Sequence, residues 1–108
     1  MPLEIHAGEL QSKLKTGKSV HLVDVRETWE RAIAKLADHQ HIPLGELPER
    51  VAELRAPEGA LVVIYCHHGV RSLAAAAFLE QQGVNGVVSL AGGIDGWSTR
   101  VDPSIPVY

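Results

Sequence analysis

The chain contains a single cysteine, Cys66, and it opens the polar segment Cys66-His67-His68-Gly69-Val70-Arg71-Ser72. Cysteine reacts as the thiolate, so a reactive cysteine needs neighbours that favour a negative sulfur. This segment supplies them. Gly69 permits a sharp backbone path or a positive φ. Arg71 adds a permanent charge with a fork of donors. Ser72 is a favoured helix N-cap, and it precedes the apolar run Leu73-Ala74-Ala75-Ala76-Ala77-Phe78-Leu79. A free cysteine is most often a small buried hydrophobe. Here the neighbours turn the reading toward a nucleophile.

Such a loop has to be held between a strand and a helix. Leu61-Val62-Val63-Ile64-Tyr65 leads into Cys66 and is apolar on both faces, as a central strand of a parallel sheet is. The alanine-rich helix follows to about Gln82, with Gly83 ending it. A strand, loop and helix in this order aim backbone N–H groups and a helix N-terminus at one point, which suits a thiolate and any anion beside it.

The remaining elements alternate in the same way. Leu3-Glu4-Ile5 is a short strand, and Ala7 to Lys15 a helix with Leu10 and Leu14 on one face, stopped by Gly17. Val20 to Val25 is a strand. The polar stretch Arg26 to Arg31 leads into a helical Ala32 to Leu36, and His39 to Ile42 is a short strand closed by Pro43. Glu46 to Leu54 is a short helix with Pro48 in its first turn. Val87-Val88 is a last strand, Ala91-Gly92-Gly93 a turn, and Ile94 to Ser98 a final helix or tight loop. Alternating strands and helices predict an α/β fold, with a mainly parallel central sheet flanked by helices on both faces. Ligands of such sheets bind beyond the carboxyl ends of strands, where both Cys66 and the Asp24–Arg26 segment fall.

At 108 residues the expectation is one domain over 1–108. A hydrophobic fraction of 45% and a net charge of −3 fit a globular protein and give no reason to expect nucleic-acid binding. One cysteine excludes an internal disulfide and fits a reducing compartment. No secretory signal pattern opens the sequence, and no apolar run approaches the ~20 residues of a membrane span. A cytoplasmic location away from membranes is therefore expected. No cofactor or metal is expected either. His39 and His41 alternate, but no cysteine or paired carboxylate joins them at ligand spacing, so they read as surface or edge residues.

Three segments together resemble a single-domain rhodanese, a sulfurtransferase. They are Asp24-Val25-Arg26-Glu27 after a strand, Tyr65-Cys66-His67-His68-Gly69-Val70-Arg71-Ser72, and Leu90-Ala91-Gly92-Gly93-Ile94-Asp95-Gly96-Trp97. Their order and separation match the family over nearly the whole chain. One stretch departs from it. The family often carries Gly-His-Ile-Pro-Gly-Ala where this chain has Ala34-Lys35-Leu36-Ala37-Asp38-His39, which implies a different local backbone and bears on partner docking.

The resemblance implies that Cys66 cycles between thiolate and persulfide. It takes sulfur from thiosulfate or a persulfide and passes it to a thiophilic acceptor, cyanide in an assay or a protein or small thiol. It implies that the loop amides from His67 through His68, Gly69, Val70 and Arg71 to Ser72 ring the persulfide. Arg71 is read as binding the sulfonate-like end of a donor, against the alternative of a salt bridge to an acid elsewhere. The amides of His67 and His68 are expected to matter more than their rings. Asp24 and Arg26 are expected to support the loop by hydrogen bonds or an ion pair. Trp97 is read as core; Trp29 either lines the site or covers the sheet. Two other readings stand beside this one. A sulfur-carrier or partner-docking module would share Cys66. A cysteine phosphatase or arsenate reductase would carry Cys-x5-Arg, whereas this loop is the shorter Cys-x4-Arg.

Overall fold

The computed structural model describes residues 3–108, so the first two residues of the expected 1–108 domain lie outside it. Five strands form one sheet: β1 (Glu4–Ile5), β2 (Val20–Asp24), β3 (His39–His41), β4 (Leu61–Tyr65) and β5 (Val87–Leu90). Their order is β1-β5-β4-β2-β3, and every pairing is parallel. The α/β class and the parallel sheet follow the sequence reading. The helices are α1 (Ala7–Lys15), α2 (Thr28–Ile33), α3 (Leu47–Arg50), α4 (Val70–Gln81) and α5 (Gly93–Arg100).

Alternation along β4 explains the two layers of helix. Val63 and Tyr65 face one core with Leu10, Ile94 and Trp97, from α1 and α5. Val62, Ile64 and then Cys66 face the other, with Leu47, Ala75, Ala76 and Leu79 from α3 and α4. The small alanines of α4 let that helix lie close to the sheet. Trp97 is buried, as expected of a core residue.

This order also creates the crevice. After β2 the chain crosses to β3 on one side; after β4 it crosses to β5 on the other. The loops leaving β2 and β4 therefore part company at adjacent strand ends, which is where open α/β sheets bind ligands. Asp24 and Tyr65 are paired in register, so Val25-Arg26 and Cys66 emerge side by side.

Three local expectations need correction. Ser72 is not the N-cap of α4: the helix begins at Val70, and Gly69 at φ +101° is the cap. Only glycine takes that conformation readily, and a sulfur, described below, fills the role of the capping side chain. The second helix is Thr28–Ile33 rather than Ala32 to Leu36, because Ala34 turns extended (φ −155°) and gives its carbonyl to Arg26. The Glu46 to Leu54 helix is a short α turn between 3-10 turns at Leu44–Glu46 and Val51–Glu53.

Asp38 adopts φ +49°, the left-handed region where glycine is the usual residue. It occupies the position of the second glycine in the family pattern. A short polar side chain tolerates that conformation better than a branched one, so the turn into β3 forms without the glycine.

Candidate active site

Cys66 lies one residue beyond β4 and is 1% exposed. Its Sγ accepts hydrogen bonds from the backbone N–H of Gly69 (3.1 Å) and of Ser72 (3.3 Å). As a thiol it donates to Ser72 Oγ at 3.3 Å, and Ser72 Oγ is 2.7 Å from Ser89 Oγ. Both serines are fully buried. Either hydroxyl can be the donor of that pair, so the chain reverses: when the sulfur is negative, Ser89 donates to Ser72 and Ser72 to the sulfur. Among the described residues the amides of His67, His68, Val70 and Arg71 donate to no other group. They are free to bind an anion at the loop.

The other end of the loop is held from below by α5. The N–H of Ile94 donates to the carbonyl of Cys66 (2.9 Å) and that of Asp95 to the carbonyl of His67 (3.1 Å). The loop carbonyls are thus occupied away from the sulfur. Gly93 makes this docking possible: at φ +61° a Cβ there would run into the carbonyl oxygens of Cys66 and His67. Gly69 is crowded in the same way, with Gly92 N 3.1 Å from where its Cβ would be.

Arg71 is not free. Its Nη1 and Nη2 donate to Glu30 Oε1 (2.6 Å) and Oε2 (2.8 Å), a bidentate pair. The ion pair weighed for Arg71 is present, and it leaves one N–H on each Nη and the one on Nε open. Glu30 is 3% exposed and also accepts from the Tyr108 hydroxyl (2.7 Å) and the Glu27 N–H (3.2 Å). The Arg71 guanidinium, aided by Tyr108 and the Glu27 amide, holds the Glu30 carboxyl at about 2 against an ordinary 4.5, despite burial.

Asp24 and Arg26 form a second bidentate pair, both fully buried. All five guanidinium donors of Arg26 find partners: both Asp24 oxygens, the carbonyls of Glu30 and Ala34, and the Tyr108 hydroxyl at 2.9 Å. A buried charge is tolerable when so completely satisfied. Neither residue hydrogen-bonds to 66–72 among the described residues. Their link to the loop is Tyr108, whose ring stacks on His67 at 3.8 Å and 4°. His67 stacks in turn on His68 at 3.8 Å. Burial pushes the Tyr108 hydroxyl up to about 12. Trp29 is 62% exposed and meets the Tyr108 ring edge-on, beside the site rather than over the sheet.

His67, His68 and Asp95 offer ligand atoms within 4.8 Å of one another. The two imidazoles are stacked, so their in-plane lone pairs run alongside each other instead of converging on one ion. His39 and His41 sit half-buried on edge strand β3. Each is tied to backbone, His39 Nδ1 to Leu36 O and His41 Nε2 to Arg26 O.

Sequence reasoning missed Glu30, Ser89 and Tyr108. A polar residue inside the apolar strand Val87–Leu90 was a signal for Ser89. Glu30, four residues after Arg26 on a helix face, was a weaker one. Nothing local marks Tyr108.

Residues 6–100 match the family described as the rhodanese-like domain. The chain belongs to that family. This rhodanese-like chain is 39% identical over 102 residues to a sulfurtransferase of Allochromatium vinosum, covering 94% of each. It is 34% identical over 92 residues to an adenylyltransferase and sulfurtransferase of Zea mays, where it spans 81% of itself and 20% of that protein. A rhodanese-related protein from Thermoplasma volcanium superposes with a TM-score of 0.81 at 32% identity, covering 97% and 98% of the two chains. No helix among the described residues is long and apolar enough to cross a membrane.

Proposed function

We propose that this rhodanese-like domain is a sulfurtransferase that carries sulfane sulfur as a persulfide on Cys66. The observation that supports this most is the sulfur itself. It sits at a strand end, under two backbone N–H donors and a serine hydroxyl, beside four unengaged amides. The relatives named sulfurtransferases point the same way.

In the first step the Cys66 thiolate attacks the outer sulfur of thiosulfate or a related donor. A new S–S bond forms, the donor's S–S bond breaks, and sulfite leaves with the electron pair. The persulfide anion is stabilised by the same preorganised donors that a developing oxyanion would use. In the second step a thiophile such as cyanide, or a protein or small thiol, attacks the outer sulfur, and the Cys66 thiolate is released. The thiol's own proton leaves to water before the cycle begins, and the Ser72 and Ser89 hydroxyls then turn to donate toward the sulfur. No acid–base role for the His67 or His68 ring is needed.

A phosphatase reading is disfavoured by the same geometry. The loop is Cys-x4-Arg, one residue shorter than the Cys-x5-Arg of a cysteine phosphatase, and the charge of Arg71 is already matched by Glu30.

The test is thiocyanate formation from thiosulfate and cyanide by wild type, Cys66→Ser and Cys66→Ala. The reading requires turnover in wild type and background in both variants. Turnover surviving in either variant, or aryl-phosphate hydrolysis faster than sulfur transfer in wild type, overturns it.

A further inference from the structure

Resting on the Cys66 sulfur-transfer reading, we propose that Glu30 acts as a charge filter on the donor: by occupying both Nη atoms of Arg71 it biases the site toward mono-anionic sulfane donors over dianionic thiosulfate.

The balance of charge around Cys66 favours this bias. The site contains two arginines, and each is already matched by a carboxylate. Asp24 neutralises Arg26, and Glu30 neutralises Arg71. A third carboxylate, Asp95, lies within 4.8 Å of the ring nitrogens of His67 and His68 at the loop. Counting guanidinium and carboxylate groups, the surroundings of Cys66 carry no surplus positive charge. What attracts an anion is the set of backbone N–H dipoles, and no unmatched full charge adds to them to favour a second negative charge.

Glu30 is not placed there by chance of a mobile surface chain. It is nearly fully buried, and its two oxygens accept from four donors: both Arg71 Nη atoms, the Tyr108 hydroxyl and the Glu27 amide. The pair uses one N–H on each Nη, so one further N–H on each Nη and the one on Nε stay open, while the charge of Arg71 is matched by Glu30. The arginine lies five residues after Cys66, in the first turn of the helix that follows the loop. A donor arriving at Cys66 therefore meets Glu30 and Arg71 together, as a neutral pair. Glu30 is a positioning residue here, acting through Arg71 and through its own field.

Two donors with the same sulfane sulfur separate the charges. Thiosulfate carries two negative charges and releases sulfite. The methanethiosulfonate anion carries one and releases methanesulfinate by the same exchange of S–S bonds. The quantity read is the ratio of kcat/KM for thiosulfate to that for methanethiosulfonate. Removing one unit charge at the edge of such a site, at an effective dielectric of about 30, changes affinity by about five- to tenfold per charge on the ligand. Glu30→Gln should raise the ratio by that factor. Asp95→Asn, which leaves the Arg71 pair intact, should raise it in the same direction and guards against poor folding of the first variant. Glu30→Gln with Arg71→Gln removes a neutral pair and should restore the wild-type ratio within about twofold.

A ratio unchanged or lowered in a folded Glu30→Gln overturns the filter, and where that variant does not fold, a ratio unchanged or lowered in Asp95→Asn does so. So does a severalfold fall in the double variant, which would show Arg71 binding the dianion directly. If wild type fails to transfer sulfur from either donor, the Cys66 reading has failed instead.

Discussion

Glu30→Gln also tests how firmly the buried carboxylate is bound into the fold. Glu30 is held at about 2 in the folded chain against an ordinary 4.5. A pKa lower in the folded than in the unfolded state adds stability above the unfolded value, and that stability is lost as pH falls. At 1.36 kcal/mol per pH unit, the full contribution is about 3 kcal/mol above pH ~5. Between pH 6 and pH 3 about 2 kcal/mol of it disappears, because the unfolded chain binds the proton there and the folded chain resists it. Glutamine has no such dependence. The assay is urea unfolding of wild type and Glu30→Gln at pH 6, 5, 4 and 3, followed by tryptophan fluorescence. The gap between the two proteins should narrow by about 2 kcal/mol from pH 6 to pH 3. With a urea slope of about 1–3 kcal/mol per molar, that is a shift of roughly 1 M in midpoint. Other carboxylates titrate in both proteins and cancel. A gap constant to within about 0.5 kcal/mol would refute the claim that Arg71 and Tyr108 hold Glu30 ionised, and the charge filter would lose its footing.

Three further outcomes follow from the same geometry. Gly93→Ala places a Cβ against the Cys66 and His67 carbonyls at positive φ, so strain and two weakened hydrogen bonds should cost about 3 kcal/mol in urea unfolding and slow sulfur loading; an unchanged midpoint would contradict the role given to α5. Ser72→Ala strips Ser89 of its partner in a buried site, at about 1–3 kcal/mol, and the Ser72→Ala/Ser89→Ala cycle should be non-additive by about 1 kcal/mol. Burial raises both tyrosines, Tyr108 to about 12 and Tyr65 higher still, so tyrosinate absorbance should stay absent below pH ~11 while the fold holds. A transition near pH 10 in the folded protein would show that Tyr108 is not packed between Arg26 and Glu30.

What could be read from the sequence divides along the range of the interactions. β4 and α4 were legible because an apolar run and an alanine-rich helix are local patterns, and a nucleophile between them needs only those neighbours. The start of α4 was not. Ser72 is a good cap by its side chain, but the cap was decided by a positive φ at Gly69 and by a sulfur reaching the amides of Gly69 and Ser72. The end of α2 failed for a similar reason. Ala32 to Leu36 has the composition of a helix, yet the buried Arg26 claims the carbonyls of Glu30 and Ala34 and pulls the chain out of it. The Arg71–Glu30 pair joins the loop after β4 to the helix after β2, and Tyr108 joins both to the far end of the chain. Contacts made only when distant elements meet leave no periodicity to read. Asp24 and Arg26 were found because two charges at a strand end stand out, although their route to the loop, through Tyr108, did not.

The most direct test of the central claim is an intact mass of the protein after incubation with thiosulfate or methanethiosulfonate, beside Cys66→Ser. The account predicts a gain of about 32 Da, one sulfur, in wild type, reversed by cyanide and absent from the variant. A wild-type mass unchanged by both donors, with the Cys66 thiol still titratable, would contradict it.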